Sequence, residues 1–382
     1  MLGEPDRWRI ECLARNFDVD VSTSVVAALV AFTGGRGPGV TIAELSEMLG
    51  VPHERIADTV AELVRLELLM EANDHCDEAG AVGTARWSHA WAREVAASWA
   101  RYGWSEAADY FLATWGYPFL SYEGPDAARA DDLAMQAFLE HEPDLVRFKK
   151  CAVTTCVPAP PTLDVLDGLS MSFASVWDQY SGLLPAPGSD GAVKDGELLE
   201  VLSAVFGVRG EFPSLDARAA PLIRKTSPSG GARHPTECYV VALTVAGLEP
   251  GLYHFAAGTS TLDYIDRLPP AERLQVLFDG LYRSRQERGF EPSAFLLFSA
   301  VFKRSMFRYR EPRSLRTVLE DIGHLTSTLE LVATATGHDV YCQHGVADGP
   351  LEDLLGLDFC LESILYGAAL GLPNSYSDKP AP

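Results

Sequence analysis

The sequence predicts an α+β fold, a mixed sheet flanked by helices and preceded by a small helical module of the winged helix-turn-helix kind. Three observations carry this. Runs rich in β-branched and aromatic residues at 237–245, 251–255, 262–265 and 294–302 are interleaved with helical stretches, the mixture that builds a sheet domain. Apolar residues at helical spacing recur over residues 23–72. No apolar run approaches the ~18 residues needed to span a bilayer. With 47% hydrophobic and 22% charged residues in 382, the chain has material for two or three domains of roughly 100–200 residues each. We place a winged-helix-like domain at 1–75, a helical and linker region at 76–160, and the sheet domain at 161–382.

The formal net charge is −22. Such a chain repels nucleic acid unless a basic patch is segregated, and none of useful size is present. The N-terminus lacks the apolar stretch of a signal peptide, so a cytoplasmic location without membrane contact is expected. The seven cysteines (Cys12, Cys76, Cys151, Cys156, Cys238, Cys342 and Cys360) are scattered, with no Cys-x-x-Cys pair. That argues against a disulfide framework or a zinc ribbon, and no metal site is expected.

In chain order, residues 24–32 read as an apolar helix. Thr41 and Glu44 have the spacing of a capping box, which starts a second helix through Ile42, Leu45, Met48 and Leu49, broken by Gly50 and Pro52. A third helix carries Ile56, Val60, Leu63 and Val64, and 66–70 suit a short strand. The third helix and its approach hold Glu54, Asp58, Glu62, Glu67 and Glu71 against Arg55 and Arg65. Phosphate contact requires the opposite sign, so DNA binding is not expected. Such a module can instead receive a peptide as an added strand or simply pack on its neighbour. Trp87, Trp91, Trp99, Trp104 and Trp115 read as core aromatics. Residues 121–160, polar and then proline-rich, read as a linker or a surface wrap, and 185–191 as a flexible stretch.

Residues 197–206 form an amphipathic helix pattern. After the strand at 237–245, the turn 256–260 joins 251–255 to 262–265 as a hairpin. The run 294–302 is apolar throughout, so both of its faces should be covered. A long helix spans 314–336 and ends at Gly337. Short strands are expected at 339–342 and 364–370.

The chemistry concentrates at 224–235, Arg-Lys-Thr-Ser-Pro-Ser-Gly-Gly-Ala-Arg-His-Pro. Adjacent glycines let a backbone approach a flat ligand, Ser227 and Ser229 offer hydroxyls, Pro228 stiffens the loop, and Arg224, Lys225, Arg233 and His234 supply positive charge. No Walker or Rossmann spacing is present. Residue types alone leave a plain turn open as the alternative.

The segment 224–239, followed by Leu-Glu-Pro-Gly-Leu-Tyr-His-Phe at 248–255, resembles the SagB/ThcOx-type dehydrogenases of the nitroreductase superfamily, closest to the peptide-maturation dehydrogenases. Phe-Arg-Tyr-Arg at 307–310, Asp-Ile-Gly-His at 321–324 and Leu-Leu-Gly-Leu-Asp at 354–358 extend the resemblance over about 160–372, and more weakly over 104–115. It implies a nitroreductase-like fold and FMN held at a homodimer interface. It also implies action on a modified precursor peptide alongside other maturation enzymes, with azoline-to-azole dehydrogenation the family reaction. Dehydroamino-acid reduction, or a non-catalytic dimeric scaffold with a leader-peptide-binding winged helix, are the alternatives.

By position, Arg224, Lys225, Ser227, Pro228, Ser229, Gly230, Gly231 and Arg308 would bind the flavin, and Tyr309 with Arg308 would form the catalytic pair. His324 and His344 are lesser candidates. His324 reads as a buried helix histidine, with Asp321 a structural partner for it or for Arg316. Two departures matter. Arg308 stands where the family has lysine, and arginine is a poor base. Residues 169–178 contain no arginine, although the family grips the FMN phosphate with an arginine-rich stretch there. A valine at Gly230 is expected to abolish flavin retention with the fold mostly intact.

Overall fold

The structure is a computed structural model. It describes residues 7–12, 17–22, 25, 31, 38–65, 98–115, 125–144, 147–151, 155–181, 191–214 and 218–373. The chain divides into two compact units, residues 1–120 and 121–382.

In the first unit, β1 (Arg7–Cys12) and β2 (Phe17–Ser22) form an antiparallel hairpin, Arg7 opposite Ser22. The sequence reading had no strand there. Helix α1 (Pro38–Leu49) begins at Pro38, three residues before the expected cap. Proline suits the first helical position, where its missing N–H is not needed. Thr41 therefore lies inside the helix and is buried. Gly50, at φ +64, ends it in the left-handed conformation that glycine adopts freely. Helix α2 (His53–Arg65) follows as predicted, and its Ile56, Val60 and Leu63 pack on Ile42 and Leu45. The expected strand at 66–70 and most of the helix at 24–32 lie outside the described residues. So do Trp87 and Trp91. Around helix α3 (Ser105–Thr114), Trp99 meets Trp104 edge-on at 5.9 Å and Phe111 at 5.0 Å. Trp104 is nevertheless 60% exposed and is not a core residue.

The second unit holds a seven-stranded sheet. Its strands are β3 (Cys156–Pro158), β6 (Thr236–Ala242), β7 (Gly251–Ala256), β8 (Thr261–Arg267), β9 (Pro292–Val301), β10 (Asp339–Gln343) and β11 (Glu362–Gly371), in the order β10-β11-β9-β6-β7-β8-β3. Each neighbouring pair is antiparallel. The expected α+β architecture is present, and within it the sheet runs antiparallel rather than in mixed directions. A separate pair, β4 (Gly210–Phe212) and β5 (Leu222–Arg224), leads into the Gly-Gly loop.

β9 sits centrally, and its side chains alternate between two cores. Ala294, Leu296 and Phe298 join Leu198, Leu202, Phe206, Leu325 and Leu329 on one face. Phe295 and Leu297 join Leu274, Phe278 and Leu281 on the other, where Phe278 stacks on Phe295 at 4.7 Å. Both faces are thus covered, as the unbroken apolar run required. The helices on the first face are α7 (Asp195–Phe206), against which α5 (Thr162–Gly168) packs, and α8 (Ser314–Ala335), against which α6 (Phe173–Tyr180) packs. α7 is not the amphipathic helix expected: every residue from Leu198 to Phe206 except Glu200 is buried. α8 ends before Gly337 at φ +80, as predicted.

Residues 121–160 are not merely a linker. They contain a 17-residue helix, α4 (Pro125–His141), and then a segment whose Asp144 and Arg147 side chains are each only 1% exposed. Hydropathy cannot reveal such a segment, because charged residues become buriable only through partners distant in sequence.

Candidate functional site

The Gly-Gly loop leaves β5 and runs along α8, which pins it. Ser229 Oγ donates to Asp321 at 2.6 Å, and the Gly230 amide donates to the same carboxylate at 3.0 Å. Ser227 Oγ donates to Thr328 at 2.7 Å, and the His234 amide donates to Ser229 Oγ at 2.9 Å. Asp321 is thereby a partner of the loop; burial pushes its carboxyl up. His324, expected to be buried, is exposed. The loop backbone is unusual. Gly231, Ala232 and His234 have φ of +59, +52 and +45, a region that side chains rarely occupy and that clusters at functional sites.

The glycines also serve close packing. A Cβ at Gly230 would lie 2.1 Å from Thr317 Cγ2, and one at Gly231 would lie 2.1 Å from the Tyr309 hydroxyl. They let α8 and Tyr309 close on the loop. Valine at Gly230 would therefore strain the fold itself, contrary to the expectation from sequence.

On its other side the loop borders a cavity of about 520 Å³, lined by Leu163, Arg209, Gly210, Phe212, Ile223, Arg224, Lys225, Thr226, Ser227, Pro228, Ser229, Ala232 and His234. Of the residues named from sequence, Arg224, Lys225, Ser227, Pro228 and Ser229 reach it. Gly230 and Gly231 back the loop. Arg224 lies over the Phe212 ring at 4.7 Å. Lys225 is buried, and burial lowers its ammonium to about 8. Its amine has no hydrogen-bond or ion-pair partner among the described residues. Burial and the nearby Lys225 cation push the His234 imidazole down to about 3, and its Nε2 donates to the Ile223 carbonyl at 3.0 Å. Arg308 turns to Asp131, 2.6 Å from both oxygens, and lies 5.3 Å from the Tyr309 ring.

A buried ionic network, missed from sequence, continues from the loop. Arg233 and Arg147 share Asp144 at 2.7 and 2.9 Å. Arg304 donates to the His234 carbonyl at 3.1 Å and pairs with Glu237. Burial would raise the Glu237 carboxyl, but Arg304 and His254 hold it at about 2. Lys149 pairs with Glu362, whose carboxylate also receives Tyr239 at 2.8 Å and Ser299 at 2.6 Å. The available signal was Glu237 and Glu362 in otherwise apolar strands: a carboxylate among buried residues demands a cation. Among the described residues no cluster of His, Cys, Asp and Glu is disposed to hold a metal, and no helix is long and apolar enough to cross a membrane.

Residues 189–372 match the family model described as the nitroreductase family. The trifolitoxin-processing protein TfxB of Rhizobium leguminosarum bv. trifolii is 32% identical over 269 residues, 68% of each chain. The chain belongs to the nitroreductase family. The microcin B17-processing protein McbC of Escherichia coli is 26% identical over 36% of this chain and 50% of its own. The E. coli microcin synthetase McbBCD complex with truncated pro-MccB17 bound contains a chain 19% identical, covering 77% of this chain and 99% of that one at a TM-score of 0.39. The nitroreductase-family portion takes in the cavity wall from Arg209, the loop and α8. Asp131, Asp144 and Lys149 lie before it.

Proposed function

We propose that this chain is an FMN-dependent oxidoreductase that modifies a ribosomally synthesised peptide, with azoline-to-azole dehydrogenation as the reaction. The observation that carries the flavin reading is Lys225, a buried amine without a partner at the wall of a cavity whose about 520 Å³ lies within the ordinary range for small-molecule sites. A buried cation without a paired carboxylate is costly, and an anionic ligand reduces that cost. Arg224 and Lys225 would meet the phosphate charge, with Ser227, Pro228 and Ser229 along the same wall. The two serine hydroxyls already donate to Thr328 and Asp321, so they shape the wall and retain only acceptor capacity. The cations at 224 and 225 fit the phosphate that residues 169–178 lack arginines to hold. Bound FMN would supply a two-electron acceptor, and the chain's part is to orient it and move a proton. On this reading Tyr309 remains the acid/base group and Arg308, fixed by Asp131, its neighbour, although Tyr309 packs behind the loop and neither lines the cavity.

Relatives named for the processing of trifolitoxin and of microcin B17 support the peptide-maturation part. On the same reading the partners are a modified precursor peptide, a second copy of the chain and other maturation enzymes, in the cytoplasm, with the N-terminal module as a winged helix that holds the peptide. Dehydroamino-acid reduction suits the same site. One observation favours the scaffold reading: Gly230 and Gly231 are occupied in packing against Thr317 and Tyr309. The visible absorbance of purified protein with added FMN separates the two. Flavin retention that is lost in Lys225→Met supports the enzyme. A colourless chain that takes up no FMN yet binds a precursor peptide overturns it in favour of the scaffold.

A further inference from the structure

Lys149, Lys194 and Lys303 each hold a carboxylate. Lys225 is only 9% exposed and holds none among the described residues. Glu237, the carboxylate whose charge reaches its ammonium, is engaged by Arg304 and His254 instead. The backbone is fixed on both sides of it. Arg224 stands opposite Gly210 in the β4–β5 ladder, and Ser227 is bonded to Thr328. Lys225 is thus held at the wall of the 520 Å³ cavity, whose other cations are Arg209 and Arg224 and whose lining residues include no acid. An amine that is desolvated and set among cations keeps a neutral, nucleophilic fraction near physiological pH, and such lysines form imines with carbonyl compounds. The lowering of the Lys225 ammonium to about 8 by burial agrees with that placement.

We propose that Lys225 is a site of covalent attachment, whose amine forms an imine with an aldehyde that carries an anionic group. Arg209 and Arg224 supply the attraction for the anion, and the cavity admits a small molecule to the amine. The neutral Nζ attacks the carbonyl carbon, and a C–N bond forms as the C=O π pair moves to oxygen. A proton passes from nitrogen to that oxygen and gives a carbinolamine. A second proton joins the hydroxyl, which leaves as water while the nitrogen pair closes the C=N bond. One water is released, and nothing is oxidised or reduced. The imine does not rest on the flavin reading. Both use one amine, as a nucleophile here and as a cation there, so FMN and the aldehyde exclude one another.

Lys150 and Lys194 are exposed, so exposure alone would favour them over Lys225. The test takes the full chain, dialysed against concentrated bromide to release any flavin, and adds substoichiometric pyridoxal 5′-phosphate at pH 7. Borohydride fixes the imine, and peptide mass spectrometry locates it. A proton that leaves at about 8 rather than 10.5 gives Lys225 roughly 300-fold more neutral amine at pH 7, so a preference of at least about tenfold over Lys150 and Lys194 leaves room for slower entry into the cavity. Pyridoxal, the same aldehyde without the phosphate, should lower that ratio. Equal or weaker labelling of Lys225 overturns the site, and an unchanged ratio with pyridoxal overturns the anionic class of ligand. Flavin retention is read by absorbance in a separate, undialysed sample, so either reading can fail without the other.

Discussion

Replacing Lys225 by methionine should make the ligand-free protein more stable. The lysine ordinarily holds its proton to 10.5, and burial lowers it to about 8 in the fold. At about 1.36 kcal/mol for each pH unit, keeping it charged in the folded state costs on the order of 3 kcal/mol at pH 7. Methionine fills similar space without a charge. The sign follows from proton counting. Between pH 8 and 10.5 the unfolded chain binds the proton and the folded chain does not, so native stability rises with pH across that window. The variant's advantage should therefore be full at pH 7, shrink from pH 8, and vanish above 10.5. Urea unfolding at pH 7 and pH 10.5 measures it, with the midpoint difference at pH 7 large and that at pH 10.5 near zero. The same variant should lose FMN retention, a trade of function against stability seen at many sites. A variant less stable than the native chain at pH 7, or an advantage indifferent to pH, would refute the reasoning.

Gly231→Ala should cost about 1–3 kcal/mol from its left-handed backbone alone, and more from the Cβ placed 2.1 Å from the Tyr309 hydroxyl. Adding Tyr309→Phe should return only part of the loss, because ring atoms remain 3.0 and 3.1 Å away; thermal melts of the two single variants and the double give the coupling. Asp144→Asn should destabilise by about 3–5 kcal/mol in denaturant titration, since it leaves the buried Arg147 and Arg233 without their shared carboxylate. Glu237, held at about 2 against its ordinary 4.5, adds stability above pH 4.5 that is lost as pH falls towards 2. Glu237→Gln should flatten that part of an acid-unfolding curve.

Much of the sheet domain was legible because its signals are local. The apolar run at 294–302 could only be a strand covered on both sides, and Gly337 could only end the long helix. The Gly-Gly loop was legible as a special backbone, but the packing its glycines allow was not. That depends on Thr317 and Tyr309, which lie some 80 residues downstream. The burial of 144–151 was illegible for the same reason. Asp144 meets Arg233 across 89 residues and Lys149 meets Glu362 across 213, and no window of local sequence contains both members of either pair. The error at Thr41 was of another kind. Two helix-start signals lay three residues apart, and the proline prevailed over the capping box.

The electrostatic difficulty raised by a net charge of −22 resolves locally. Charges farther than about 8 Å are largely screened at physiological salt, so the surface carboxylates matter little to a ligand inside the cleft. Close by, Arg147, Lys149, Lys225, Arg233 and Arg304 stand against Asp144, Glu237 and Glu362. Arg304 and Lys149 each have a carboxylate, and Arg147 and Arg233 share one. Lys225 is left facing the cavity, close enough to Glu237 to feel its charge but not paired with it. Moving that carboxylate into contact would satisfy the lysine and remove the reason for an anion to enter. Arg304 and His254 engage Glu237 instead, and the positive charge at the cleft follows from how completely the rest of the network is paired.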